Sequence, residues 1–398
     1  MDAPACYEPD RLFASKELLQ SVEDESFYLY YAEGIRFRTR RLLAAFSWNP
    51  ENRCFFPVKA NANPEILRML LEEGLGLLCT SVVELRLAVS VGASGNQILF
   101  APVAADEKDW AEACRCGARL SLDRPEAVRL LAQAGSLPEE ILLRVQPQEP
   151  IRVGAQIVVK PENSKFGMAP QLLPEVARQL EKLGVRRLGL HVHLTGYLSE
   201  VGYWAALAEL LWKLAQTIQK KSGMSVSCLH LGGGLASGGR PEEQFPEIEE
   251  VAERIRAKLL RSGETIPVET AFGSWLLGEN GLYLTRVKAF REDEPLRPIL
   301  FVAGSAFHVG DLLLKRSYHH ISVVGKETVE GRVVCSVAGA CSDQQDFLGK
   351  RRLLPVPASG DLLAVHHTGA YGYSMALNLP GQPLCREYLL ENGRIRCI

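Results

Sequence analysis

The sequence predicts an α/β protein: a (β/α)8 barrel, followed by a C-terminal antiparallel β domain. Three observations predict it. Between residues 53 and 274, eight short apolar runs alternate with amphipathic stretches, and strands alternating with helices argue for parallel pairing. Chemically useful residues gather where those runs end, the face on which barrels keep their chemistry. After about residue 275 the apolar runs continue without long helices between them, which suits an antiparallel sheet.

The eight expected strands are Cys54–Val58, Gly76–Ser81, Gln97–Pro102, Arg119–Asp123, Ile141–Val145, Leu188–Leu194, Cys228–Leu231 and Pro267–Phe272. Helical patterns fall between them at Glu65–Glu73, Val83–Val91, Asp109–Cys116, Pro125–Ala134, Leu172–Leu183, Tyr203–Lys220 and Glu247–Arg261. A doubly wound open sheet is the rival topology, but it normally carries an early Gly-rich fingerprint after its first strand, and none is present here. Pro147–Pro161 reads as a Pro-containing loop. The second domain is expected from Leu282–Phe290, Ile299–Val302, His320–Val324, Val333–Val337 and Asp361–His366, with Ser26–Tyr30 adding a strand. The expected division is a barrel over residues 36–274 and a β domain made of residues 1–35 and 275–398.

Composition bounds the function. The chain has 398 residues, 47% apolar and 23% charged, with a net charge of −2. That balance gives no electrostatic case for nucleic acid or an anionic membrane. No uninterrupted apolar stretch of ~18 residues is present, so no transmembrane helix is expected. Met1–Cys6 has neither the basic nor the apolar region of a secretory leader. The ten cysteines are scattered, without zinc-type spacing. Reduced thiols and a cytoplasmic location are the expectation.

Lys59 ends the first run, Phe55-Phe56-Pro57-Val58-Lys59. A lysine closing a buried strand is costly unless it is paired or used. Burial also lowers its pKa, and a neutral amine attacks carbonyls. The chemical reading is a Schiff-base lysine; the plain one is a strand-end lysine reaching solvent. Ser81 and Glu84 follow strand two, Arg144 lies near the end of strand five, and His193 ends strand six. Gly232-Gly233-Gly234 follows strand seven, and Gly273-Ser274 follows strand eight.

Each of these has a role if the ligand is an aromatic aldehyde phosphate. Glycines expose backbone N–H groups to a phosphate because no Cβ blocks approach, although three glycines also make a tight turn. The His193 ring suits stacking on a planar group. His191 shares its strand face, and the pair also has the spacing of metal ligands, without a converging carboxylate or cysteine motif. Arg144 inside an apolar strand is expensive unless it holds an acceptor. Asn163–Gly167 reads as an ordered loop carrying Lys165. In the second domain, Gly339–Asp346 is a polar run and Tyr371 is flanked by glycines; its hydroxyl suits a phosphate oxygen.

These segments together resemble the fold-type III pyridoxal-phosphate decarboxylases, the group of ornithine, diaminopimelate and arginine decarboxylases. The resemblance runs from about Phe27 to the end. It is carried by Pro57–Asn61, Cys79–Leu85, Leu143–Val145, Ser164–Gly167, Gly189–His193, Leu231–Gly234, Gly360-Asp361 and Gly369–Gly372. It implies that pyridoxal 5'-phosphate is joined to Lys59, that His193 stacks on its ring, and that Gly232–Gly234 and Tyr371 hold its phosphate. It also implies a head-to-tail homodimer in which Gly339–Asp346 reaches the partner's site.

The chain departs from the pattern at several positions. The family's Glu-Pro-Gly-Arg after strand eight is Ala271-Phe272-Gly273-Ser274 here. Either the strand shifts so that Glu269 serves the ring nitrogen, or the nitrogen lacks its usual acid. Thr195-Gly196 stands for the family's Gly-Ser, and Leu78 for a frequent Asp. Ser342 aligns with the family's cysteine, with Cys341 one residue off; either is a candidate proton donor, and Asp343 a candidate reader of the substrate's distal group. The expected activity is decarboxylation of an amino acid or its derivative. A racemase on the same cofactor and a catalytically impaired regulatory paralogue are the alternatives.

Overall fold

A computed structural model describes residues 16–160, 164–261, 263, 265–292, 297–326, 329–378 and 383–398. Met1–Cys6 and Asn163 therefore lie outside the described residues. The chain divides into two compact units: residues 39–236 with 245–273, and residues 16–38 with 237–244 and 274–398.

The first unit is a closed barrel of eight parallel strands. In chain order they are β1 (Arg53–Pro57), β2 (Gly76–Cys79), β3 (Ile98–Phe100), β4 (Arg119–Leu122), β5 (Glu140–Arg144), β6 (Arg187–His191), β7 (Val226–His230) and β8 (Val268–Thr270). Closure is direct, with Glu269 of β8 opposite Arg53 of β1. Alternate residues point inward: Phe55, Leu78, Leu99, Leu142, Cys228 and Ala271 form one buried cluster, and each large side chain there contributes ~1.5–3 kcal/mol by leaving water.

Local chemistry sets the helix starts. Asn63 caps Pro64–Glu72 by accepting from Glu65 N at 3.0 Å, and Ser81 caps Val82–Ser90 by accepting from Glu84 N at 3.2 Å. Asp106 and Asp109 cap Glu107–Arg115 reciprocally. Ser81 lies two residues past the end of β2, whereas Asn63 and Asp106 each lie six residues past the ends of β1 and β3.

Two differences from expectation stand out. The Pro147–Pro161 stretch is not a plain loop: it contains an antiparallel hairpin, Ile151–Val153 with Gln156–Val159, turning at Gly154. Each strand also stops before the last residue of its apolar run, which turns into the loop, and five of the eight are shorter than the run.

The second unit holds a nine-stranded sheet. Gly281–Arg291 is its spine, paired antiparallel with Ser26–Tyr31, Ile299–Val302 and Leu362–Val365. The sheet is not purely antiparallel: Ser26–Tyr31 runs parallel to Arg386–Glu391, and Ile299–Val302 parallel to Arg332–Ala338. Phe27, Leu29, Leu282, Leu284, Leu362, Ala364 and Leu390 share its core. Among the described residues no helix is long and apolar enough to cross a membrane.

Candidate active site

The carboxyl ends of the barrel strands converge on one mouth. Lys59 stands there on a single 3-10 turn, Val58–Ala60, just beyond β1. Val58 and Ala60 are buried and fix the turn, whereas Lys59 itself is exposed. Of the two sequence readings, a costly buried amine or a side chain reaching solvent, the structure has the exposed one: the strand stops at Pro57, and the turn carries the side chain outward. Gly273, three residues past β8, packs directly on this turn. A Cβ at Gly273 would lie 2.9 Å from Pro57 Cγ and 3.0 Å from Ala60 Cβ.

The charge of Lys59 reaches three neighbours. It lowers the pKa values of His193 and His191, and it opposes the rise that burial causes in Glu84. The Glu84 carboxylate accepts from Thr80 N at 2.6 Å and from Thr80 Oγ1 at 3.1 Å, so it is held at the start of its helix, facing the lysine turn.

Three histidines line the interior below and at the mouth. Burial, with Lys59 and Arg144 nearby, pushes His193 down to about 3. His191 is driven well below the usual histidine range by burial and by His230; its Nδ1 lies 2.8 Å from Ser121 Oγ. His230, fully buried, is pushed down to about 3 by burial and by Arg119. The His191 and His230 rings meet edge to face, centroids 4.5 Å apart. All three are therefore neutral near pH 7.

The glycine loop is built by exclusion. A Cβ on Gly233 would lie 1.9 Å from the Ala271 carbonyl oxygen, and one on Gly234 2.4 Å from the Thr195 carbonyl oxygen. Gly232 and Gly234 also have φ of +68° and +90°, the left-handed region that favours glycine. Gly233 N donates to His193 Nδ1 at 3.3 Å, and Gly232 N to His230 Nδ1 at 3.1 Å.

Arg144 closes β5, buried, and its acceptor is Asp123: Nη1 to Oδ1 is 3.0 Å. Its guanidinium also lies 4.3 Å from the Phe166 ring centroid. The sequence reading missed Asp123, although Arg119, Ser121 and Asp123 alternate on one strand face.

Glu269 is elsewhere. Fully buried, it meets Arg119 at 2.6 and 2.7 Å and Arg53 at 3.2 Å, and Arg119 also pairs with Glu140. Arg53, Arg119 and Glu140 are the first residues of β1, β4 and β5. The network thus closes the end of the barrel opposite the mouth, four residues or roughly 13 Å of strand from Pro57. The expected role of Glu269 at a cofactor nitrogen is corrected: the strand has not shifted, and Ala271 occupies the mouth position, its N–H bonded to Gly232 O at 2.7 Å.

In the second unit, Cys341, Ser342 and Asp343 share one turn. Buried Asp346 anchors it, accepting from Cys341 N and Ala306 N at 2.7 Å each and from Ser305 Oγ at 2.9 Å. Cys341 is half-buried; Ser342 and Asp343 are exposed. Desolvation and the Asp346 and Asp343 carboxylates raise the Cys341 thiol pKa. Asp343 Oδ1 accepts from Gln345 N at 2.7 Å. Ser274 opens the short helix Ser274–Leu277. Tyr371 sits at φ +64°, with Lys315 Nζ 3.9 Å from its ring centroid. Lys315 was not foreseen; its signal is a charge closing the apolar run Leu312-Leu313-Leu314.

Residues 33–273 match the family described as pyridoxal-dependent decarboxylase, pyridoxal binding domain. The chain is 27% identical to diaminopimelate decarboxylase of Methanothermobacter thermautotrophicus over 392 residues, covering 96% of this chain and 91% of the relative. It is 28% identical to protein TabA of Pseudomonas amygdali pv. tabaci, covering 96% and 90%. The fold is that of diaminopimelate decarboxylase from M. jannaschii in co-complex with L-lysine, with a TM-score of 0.88 at 21% identity and coverage of 96% and 90%.

Proposed function

This chain belongs to the pyridoxal-dependent decarboxylases, and we propose that its substrate is an amino acid with a cationic tail, decarboxylated on pyridoxal 5'-phosphate held through Lys59. The residues at the barrel mouth fit that cofactor. The glycine loop lies so close to the end of β8 that a Cβ on Gly233 would meet the Ala271 carbonyl, His193 offers a neutral ring, and Lys59 is exposed near it. When bound, the cofactor supplies an aldehyde for amines and an aromatic system that takes up the electron pair left by departing carbon dioxide.

The chain's own groups have the following proposed roles. Lys59 supplies the amine that anchors the aldehyde and is released when substrate enters. The His193 ring supports one face of the cofactor. The Gly232-Gly233-Gly234 loop, the Tyr371 hydroxyl and Ser274 serve the phosphate, with Gly232 N and Gly233 N turned to the His230 and His193 rings in the structure. Gly273 holds the lysine turn in place by its lack of a side chain. Arg144, oriented by Asp123, presents a fixed cation to the cofactor. Cys341 delivers the proton that completes the product; it is favoured over Ser342 because a thiol is a far stronger acid than a hydroxyl. Exposed Asp343 reads the cationic tail. The turn Cys341–Asp343 serves the site of a partner subunit in a homodimer.

The observation that carries the reading is the lysine turn: an exposed amine, fixed by buried neighbours and by Gly273, whose charge is felt by His193 and Glu84. Borohydride reduction of the protein loaded with pyridoxal phosphate, followed by peptide mass spectrometry, is expected to place the adduct on Lys59. Carbon dioxide release is then measured with diaminopimelate, lysine, ornithine and arginine. An adduct on another lysine, or release from neutral amino acids only, would overturn the reading.

A further inference from the structure

In the second unit, two short segments are tied to the turn that carries Tyr371. The helix Gly310–Leu314 starts on it, with Gly310 N donating to Gly372 O at 3.1 Å. The stretch that follows Ser274 meets it as well, since Gly369 N donates to Gly278 O at 3.1 Å and Thr368 N to Gly281 O at 3.0 Å. A Cβ on Gly369 would lie 2.1 Å from the Leu277 carbonyl oxygen, so this approach needs a glycine. Tyr371 is held at φ +64°, a costly backbone for a residue with a side chain, which persists only where the surroundings enforce it. Lys315 follows the helix directly. It is exposed, and its Nζ lies 3.9 Å from the Tyr371 ring centroid.

This ammonium has no carboxylate bound to it among the described residues. Burial by neighbouring groups lowers its pKa, and the charge of Asp311 opposes that, but Asp311 Oδ1 lies against His319 Nε2 at 3.2 Å. A partly desolvated cation without a counter-ion gains from an anion that reaches it. The groups assigned above to the cofactor's phosphate bring no cation. The hydroxyls of Tyr371 and Ser274 are neutral, and Ser274 stands where the family's motif has arginine. In the glycine loop, Gly232 N and Gly233 N donate to the rings of His230 and His193. Arg144 is paired with Asp123. A phosphate ester carries about −1.5 to −2 charges near pH 7, and hydrogen bonds to it from a charged donor are roughly twice as strong as neutral ones.

We propose that Lys315 supplies the cation for the cofactor's phosphate, gripping it together with the Tyr371 hydroxyl. The flexible stem of a lysine lets the ammonium move from the ring to an oxygen bound at that hydroxyl. The inference rests on Tyr371 serving the phosphate, as in the functional reading above. A carboxylate of the substrate offers the same oxyanion chemistry, and the test separates the two sources.

The full chain, freed of cofactor, is titrated with pyridoxal phosphate and with pyridoxal, which lacks the phosphate; binding is read from visible absorbance. Lys315→Met is expected to weaken pyridoxal phosphate by about ten- to a hundredfold and to leave pyridoxal within about twofold. The phosphorus resonance of the bound cofactor is followed against pH. The phosphate is expected to stay dianionic to lower pH in the wild type than in Lys315→Met. Unchanged affinity for pyridoxal phosphate, or identical phosphorus titrations, overturns the inference. A higher substrate KM without loss of cofactor affinity also overturns it and assigns the lysine to a substrate carboxylate. Equal losses for both ligands overturn it too, because the lysine would then merely prop Tyr371. In each of these cases a Lys59 adduct leaves the functional reading standing, whereas absence of that adduct overturns the reading and the inference together.

Discussion

Replacing Glu269 by alanine distinguishes a structural carboxylate from a catalytic one. Glu269 is fully buried, and Arg119, 5% exposed, is its main partner. Removal leaves Arg119 with Glu140 as its remaining carboxylate partner among the described residues. Breaking a buried pair costs ~3–5 kcal/mol, and the surviving Glu140 contact puts the loss at the lower end, about 3 kcal/mol. That is more than a hundredfold in the folding equilibrium of the barrel. With a urea dependence of ~3 kcal/mol per molar, the midpoint falls by about 1 M. The assay is urea unfolding followed by tryptophan fluorescence, with the visible absorbance of the bound cofactor recorded at low urea. The expected result is a lower midpoint with an unaltered cofactor spectrum, because the network lies at the far end of the barrel. An unchanged midpoint, or a stable variant with a shifted spectrum, would refute the reasoning.

Further outcomes follow from the same geometry. Asp123→Ala leaves the Arg144 guanidinium buried without its carboxylate and is expected to cost ~3 kcal/mol or more in urea unfolding; Asp123→Ala with Arg144→Met recovers much of that loss. Buried His191 and His230 are neutral when folded and protonate freely when unfolded. Stability is therefore full above the unfolded histidine pKa, ~6.5, and falls as pH drops toward about 3. The slope is up to ~1.4 kcal/mol per pH unit for each histidine, and His230→Gln in a pH series of melts reduces it by one histidine's share. Cys341→Ala slows carbon dioxide-coupled product formation more than Ser342→Ala does, as read by single-turnover kinetics in deuterated solvent. Gly233→Ala keeps an allowed backbone but meets the Ala271 carbonyl, and it weakens cofactor binding by at least tenfold in equilibrium dialysis.

The barrel was legible because its strands are buried on both faces and read as unbroken apolar runs. All eight are present, and the differences lie at their ends. Strands with charged middles were harder: Phe347–Pro355 contains Lys350-Arg351-Arg352 and is half exposed, so it shows no clean alternation. The hairpin at Ile151–Val159 is mostly solvated and short, which leaves little periodic signal. At the mouth, residue identity did not reveal the partners that the structure gives each side chain. Whether Lys59 is buried or reaches solvent stayed open, since the sequence does not reveal that a 3-10 turn follows Pro57. Glu269 was drawn toward the mouth by its closeness in sequence to Ala271; two residues of extended chain are enough to put it in another layer of the barrel. Asp123 and Asp346 escaped notice because their partners, Arg144 and Ser305, come from separate segments of the chain.

The contact of Gly273 with Pro57 and Ala60 means that the perch of the Lys59 amine is set by an atom that is absent. One added methyl there would press on Pro57 and Ala60, and so on the lysine's perch, without touching the lysine. On the proposed role of Lys59, a change some 214 positions along the chain would then loosen the hold on the coenzyme.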